Sequence, residues 1–118
     1  MKNILLIITL FISWNAIAEG CYNAESESYD ATRDAKKAYR SSELSRCKRY
    51  AKKAYRHLQD VEYYASSCSC YNAESEANSG IRDAKKAYRS SELSRCKRYA
   101  KKAYRHASYA ESESISCN

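Results

Sequence analysis

Proline is absent from this chain, and glycine occurs only at Gly20 and Gly80. Little in the sequence therefore forces the backbone out of a helix. Methionine, phenylalanine and tryptophan each occur once, as Met1, Phe11 and Trp14. Large aliphatic side chains are almost as scarce beyond residue 18, where only Leu44, Leu58, Val61, Ile81, Leu93 and Ile115 are found. So few cannot offset the entropy lost on ordering a chain of this size, about 1–2 kcal/mol per residue. An ordinary apolar core is excluded. Either the chain is largely disordered or another device holds it.

Catalytic signatures are missing too. No phosphate-cradling glycine loop, zinc-protease helix motif or Gly-x-Ser-x-Gly stretch occurs. Histidine is limited to His57 and His106. Each reads as a surface residue at the edge of a basic cluster. Cys47 lies ten residues from His57, about 15 Å along a helix, too far to serve it as a nucleophile. Three cysteines and one histidine per repeat resemble a zinc set only superficially, because the cysteines stand 26 and 21 residues apart. The sequence gives no reason to expect an enzyme, a metal site, a cofactor or a small-molecule substrate.

The N-terminus carries Lys2, a largely apolar run from Ile4 to Ile12, and a small-x-small site at Ala16-Ile17-Ala18. This pattern reads as a secretory signal peptide over residues 1–18, cut before Glu19. The apolar run is too short to span a bilayer. An exported chain, periplasmic or extracellular, is expected. Its six cysteines then argue for disulfides as the missing device.

Residues 21–69 and 70–118 are one 49-residue unit written twice, with 35 of 49 aligned positions identical. The stretch from Arg33 to His57 recurs unchanged as Arg82 to His106. Any structural idea must therefore work in both copies. Small residues keep a three-four beat in each half of the unit. In the first half it runs Cys21, Ala24, Ser28, Ala31, Ala35, Ala38, Ser42, Ser45, and in the second Cys47, Ala51, Ala54, Leu58, Val61, Ala65, Cys68. The two series are out of phase, so two helices with a break near Ser41–Ser45 are expected. Asn23 and Asn72 are suited to cap the first helix of each unit, and Ser42 and Ser91 the second. A single continuous helix from Ala24 to Ala65 is the alternative. In the second unit, Ala77-Asn78-Ser79-Gly80-Ile81 predicts a broken or late first helix.

Cys21 and Cys68 are nearly equidistant from a turn at Leu44, as Cys70 and Cys117 are from Leu93. An antiparallel hairpin brings each pair together at its open end, where a disulfide contributes about 4 kcal/mol in the chain-entropy model. Cys47 and Cys96 fall near the two turns. They can bridge the hairpins or link separate molecules. The expected fold is all-α: two tandem disulfide-stapled antiparallel helical hairpins, residues 19–69 and 70–118. Only Ser69 separates Cys68 from Cys70, which suggests an up-down-up-down four-helix bundle with both turns at one end. Tyr39, Tyr50 and Tyr55, with Tyr88, Tyr99 and Tyr104, flank the seams and can roof them.

Net charge is +7, and +6 once Lys2 leaves with the signal. Its placement says more than its sum. Near the first turn stand Arg33, Lys36, Lys37, Arg40, Arg46, Lys48, Arg49, Lys52, Lys53 and Arg56, opposed only by Asp34 and Glu43. The second turn repeats this with Lys85, Lys86, Arg89, Arg95, Lys97, Arg98, Lys101, Lys102 and Arg105. Acidic residues gather at the disulfide end. Basic side chains interleaved with Tyr39, Tyr55, Tyr88 and Tyr104 suit an anionic partner, a polymer or a membrane surface. The alternative is a homo-oligomer in which basic tips meet acidic ends, a structural envelope or matrix protein.

Overall fold

A computed structural model describes residues 2–118, with side-chain surroundings for residues 21–118. The signal-peptide assignment, residues 1–18, lies outside the residues described with their side chains. Four helices follow in order: α1 (Lys2–Tyr39), α2 (Leu44–Ser67), α3 (Tyr71–Tyr88) and α4 (Leu93–Ser116). They form the expected up-down-up-down bundle of two hairpins. α1 packs on α2 and α4, and α3 packs on α2 and α4, while α2 and α4 also meet across the diagonal. The contacts occur in matching pairs, so an approximate twofold axis along the bundle relates the two hairpins. No helix among the described residues is long and apolar enough to cross a membrane.

All six cysteines are paired as Cys21–Cys68, Cys47–Cys96 and Cys70–Cys117, with Cα–Cα separations of 5.4, 6.3 and 6.0 Å. The first and third staple the open ends of the hairpins. The second crosses the α2–α4 diagonal near the turns. It closes within one chain, which removes the intermolecular bridge considered above. Three disulfides fit an oxidising, exported environment.

The three-four beat falls on the core. Ala24, Ala31, Ala35 and Ala38 of α1 are buried, as are Ala51, Ala54, Leu58, Val61 and Ala65 of α2 and their counterparts in α3 and α4. The stripe ends differently from expectation: Ser41 is buried, while Ser42 and Ser45 are exposed. Ser41 Oγ donates to the Lys37 carbonyl and Ser90 Oγ to that of Lys86, at 2.9 and 2.8 Å. These bonds satisfy hydroxyls tucked under each turn. Both helices beyond the turns start after an extended residue, Glu43 or Glu92, with no side-chain cap. Ser42 and Ser91 are therefore not the caps. Asn23 is not one either, because α1 runs through it and a lone glycine at position 20 costs a helix only about 1 kcal/mol. Asn72 lies inside the first turn of α3, which is entered from Cys70.

Between the hairpins, the Ser69 amide donates to the Ser66 carbonyl at 3.2 Å and that of Cys70 to Ala65 at 2.8 Å. This is a Schellman closure with Ser69 in the left-handed position, φ 60°, that glycine usually takes. One residue reverses the chain, and the cystines at Cys68 and Cys70 hold it on both sides.

The expected break at Ala77–Ile81 does not occur, for α3 is continuous from Tyr71 to Tyr88. Gly80 instead makes room. A Cβ there would stand 3.0 Å from Leu58 Cδ1 and 3.3 Å from His106 Cβ. Leu58 and Val61 are the largest fully buried side chains among the described residues, and both belong to the first repeat. Their counterparts in the second repeat are Ala107 and Ala110, and the counterpart of Gly80 is Ala31. One half of the central layer thus uses leucine against glycine where the other uses alanine at both positions. Leu58→Ala is expected to cost about 2–5 kcal/mol. Adding Gly80→Ala should return about 1 kcal/mol through helix propensity, since the pair then matches Ala31 and Ala107. Gly80→Ala alone should return less, because its methyl meets Leu58. Denaturant unfolding of the four disulfide-intact proteins measures this coupling, and strict additivity would refute it.

Candidate anion-binding tips

Both turns lie at one end of the bundle, so the two basic runs converge there. Repulsion among like charges would oppose this gathering, but the Cys47–Cys96 bridge and the packed alanines beneath hold the tips together. The last turn of α1 and the first of α2 enclose a cleft of 420 Å³ lined by Arg33, Lys36, Lys37, Arg40, Ser41, Ser42 and Arg46. The equivalent cleft between α3 and α4 measures 470 Å³ and is lined by Arg82, Lys85, Lys86, Arg89, Ser90, Ser91 and Arg95. Each holds five cationic side chains and no carboxylate.

The clefts differ in one respect. Arg33 shares its charge with Asp30 at 3.4 Å and Asp34 at 3.8 Å. Asp30 becomes Ser79 in the second repeat, and Arg82 meets only its hydroxyl, at 3.4 Å. The second tip therefore presents its positive charge more fully.

Tyrosines divide into two groups. Tyr39 packs edge-to-face on Tyr104, and Tyr55 on Tyr88, each pair at 5.3 Å between centroids. These matched pairs fasten one hairpin to the other, so the rings expected to contact an anion are engaged in packing. Tyr50 has a different surrounding. Lys37, Arg46, Arg49 and Lys53 each stand 5.2–5.7 Å from its ring centre. Lys86, Arg95, Arg98 and Lys102 repeat the arrangement around Tyr99. Desolvation opposes ionisation of the Tyr50 phenol, but Lys37, Arg46 and Arg49 together outweigh it, and its pKa falls below the ordinary tyrosine value. Tyr50 and Tyr99 join the candidate tips through the cations around them. The signal for them was local: Arg46, Arg49 and Lys53 lie four and one residues before and three after Tyr50, on one helical face.

Not every basic residue joins the clefts. Lys48 and Lys52, and their counterparts Lys97 and Lys101, line neither. Arg56 lines a separate cleft on the α1–α2 face, with Arg33, Lys37, Lys53 and His57. The histidines are not loose surface residues. His57 Nδ1 is 2.6 Å from Glu27 Oε2 and its Nε2 3.4 Å from Asp34 Oδ2. His106 lies likewise between Glu76 at 2.8 Å and Asp83 at 3.6 Å. Each half-buried ring joins the two helices of its own hairpin. Among the described residues, neither ring makes a hydrogen bond to a hydroxyl or thiol.

The opposite pole is acidic and aromatic. Tyr22, Tyr29, Tyr63, Tyr71 and Tyr109 are all exposed there. Tyr22, Glu25, Ser26, Tyr29 and Glu111 line a cleft of 260 Å³, and the Asn118 side-chain amide donates to Glu25 Oε2 at 3.0 Å. No family model, curated protein or solved structure matches the chain.

Partial burial and the nearby Glu25 raise the pKa of Glu111. Its protonated form is the one the fold favours. That stabilisation is complete below the ordinary glutamate pKa, about 4.3, and is lost as pH rises through the raised folded value. Glu111→Gln should therefore raise Tm at pH 7, by about 2 °C for a chain this size. The gain should vanish at acid pH. Thermal melts across pH test this, and a gain independent of pH would contradict it.

Proposed function

We propose that this is an exported, non-catalytic binding protein whose paired tips engage an anionic polymer or membrane surface. The observation that carries this reading is the recurrence of one five-cation cleft at both turns, on the same end of the bundle. Phosphate or sulfate oxygens would accept hydrogen bonds from guanidinium and ammonium groups of Arg40, Arg46, Lys36 and Lys37 in one cleft and Arg89, Arg95, Lys85 and Lys86 in the other. Arginine offers a planar fork and lysine a mobile point charge. Tyr50 and Tyr99 keep the surrounding cations gathered on their rings. Two tips facing one surface bind with the avidity of a linked pair, and the linker here is a rigid bundle. Serine hydroxyls at Ser42 and Ser91 are exposed beside the clefts and can add neutral contacts.

A second reading has one observation in its favour. The acidic, tyrosine-bearing cleft at the far pole is complementary in charge to the tips, so molecules could stack head to tail as a structural array. Such contacts need no disulfide.

Binding to vesicles containing phosphatidylglycerol, and to heparin, is expected to weaken steeply with salt. Each basic residue near an anionic surface contributes about 1 kcal/mol. Replacing Lys85, Arg89 and Arg95 by Gln should thus weaken vesicle binding by about 100-fold. The same change at Lys36, Arg40 and Arg46 should cost less, because Asp30 and Asp34 already neutralise part of that tip's positive charge at Arg33 and it contributes less to binding. Sedimentation at low salt separates the second reading. Oligomers that dissolve on replacing Glu25 and Glu111, in a protein indifferent to vesicles and heparin, would replace the first reading with the second.

A further inference from the structure

The two histidine clamps pose a problem of proton count. A neutral imidazole carries one N–H and one lone pair. His57 nonetheless faces a carboxylate from each ring nitrogen, Glu27 at 2.6 Å and the almost fully buried Asp34 at 3.4 Å. One nitrogen can donate; the other then turns a lone pair toward an anion. That side is where a bound cation would be placed, between a ring nitrogen and a carboxylate oxygen. His106 stands in the same way between Glu76 and Asp83.

The repeats diverge at the next position around the ring. Asp60 lies three residues after His57, on the same face of α2. Glu27, His57 and Asp60 each bring a ligand atom to within 4.8 Å of the others. In the second repeat the counterpart of Asp60 is Tyr109, whose ring stands edge-on to His106 at 6.5 Å between centroids. An aspartate can supply a third ligand; a tyrosine ring standing edge-on to the imidazole cannot take its place.

We propose that the first repeat binds one divalent transition-metal ion, of the zinc class, through Glu27, His57 and Asp60, and that the second repeat does not. Asp34 is the orienting partner. It accepts the Nε2–H, which fixes the tautomer and turns the Nδ1 lone pair toward Glu27. One imidazole and two carboxylates on two helices leave a coordination position for water. Arg33, Lys37, Lys53 and Arg56 line the same cleft and reduce its attraction for any cation. They select against magnesium and calcium, held by charge and oxygen ligands alone, and favour an ion that forms a coordinate bond to imidazole nitrogen. The ion would join α1 to α2 midway between the turn and the Cys21–Cys68 staple.

Titration calorimetry of the oxidised full chain with zinc ion alone tests this. One site per chain is expected, with micromolar affinity, and none for magnesium. His57→Gln and Asp60→Asn should each weaken it at least about tenfold, and His106→Gln should leave it unchanged. Tyr109→Asp should create a second site. Zinc should raise Tm of the parent chain and of His106→Gln, but not of Asp60→Asn, which reports binding to the folded state without relying on heats. Absence of zinc binding, two sites in the parent chain, or equal loss on His106→Gln would overturn the proposal.

Discussion

The structure depends on bringing helices close together with almost nothing large between them. Alanine and serine stripes let the axes approach, but each small side chain removes little apolar surface from water. Leu58 and Val61 supply the largest buried side chains, and they sit on one helix. The deficit is met on the side of the unfolded chain: three disulfides restrict the ensemble that folding must order. Two clasp the open ends and one ties the hairpins near their turns. What the core fails to gain by burial, the cross-links offset by limiting what the chain could otherwise do.

That arrangement also explains how so much positive charge collects at one end. Ten cationic side chains around two neighbouring turns repel one another, and a bundle held only by alanine contacts would tend to splay there. Cys47–Cys96 lies directly beneath, with the Tyr39–Tyr104 and Tyr55–Tyr88 pairs below it. The tips stand on a covalent and aromatic foundation. The proposed anion sites use this stored repulsion, since a bound phosphate or sulfate relieves it. The acidic pole shows the same tension in weaker form, where burial and then Glu25 raise the pKa of Glu111.

Duplication made the two hairpins, and divergence has since given them different centres. Repeat one has leucine and valine inside and an aspartate beside its histidine. Repeat two has alanines inside, a glycine opposite Leu58 and a tyrosine edge-on to its histidine. The identical span from Arg33 to His57 covers the turn and tip, so the copies agree at the proposed anion sites and differ outside it. A single Asp30-to-Ser79 difference is enough to make the tips unequal in free charge.

The sequence by itself determined the repeat, the helical hairpins, the register that aligns Cys21 with Cys68 and Cys70 with Cys117, and the polarity of charge. These follow from spacing along one chain: a three-four beat of small residues, and cysteines equidistant from a turn. Helix ends were less legible. Asn23 and Ser42 have capping chemistry, but α1 runs through the one, and the turn at the other is closed by Ser41 bonding backward. Gly80 looked like a breaker because its local cost was visible and Leu58, 22 residues away, was not. Only the tertiary structure decided what half-buried side chains face across helices: Lys37 against Tyr50, tyrosine against tyrosine between hairpins, and a carboxylate on both sides of each histidine. Those are contacts between helices, fixed by how the helices rotate against each other, and no spacing along the chain encodes that rotation directly.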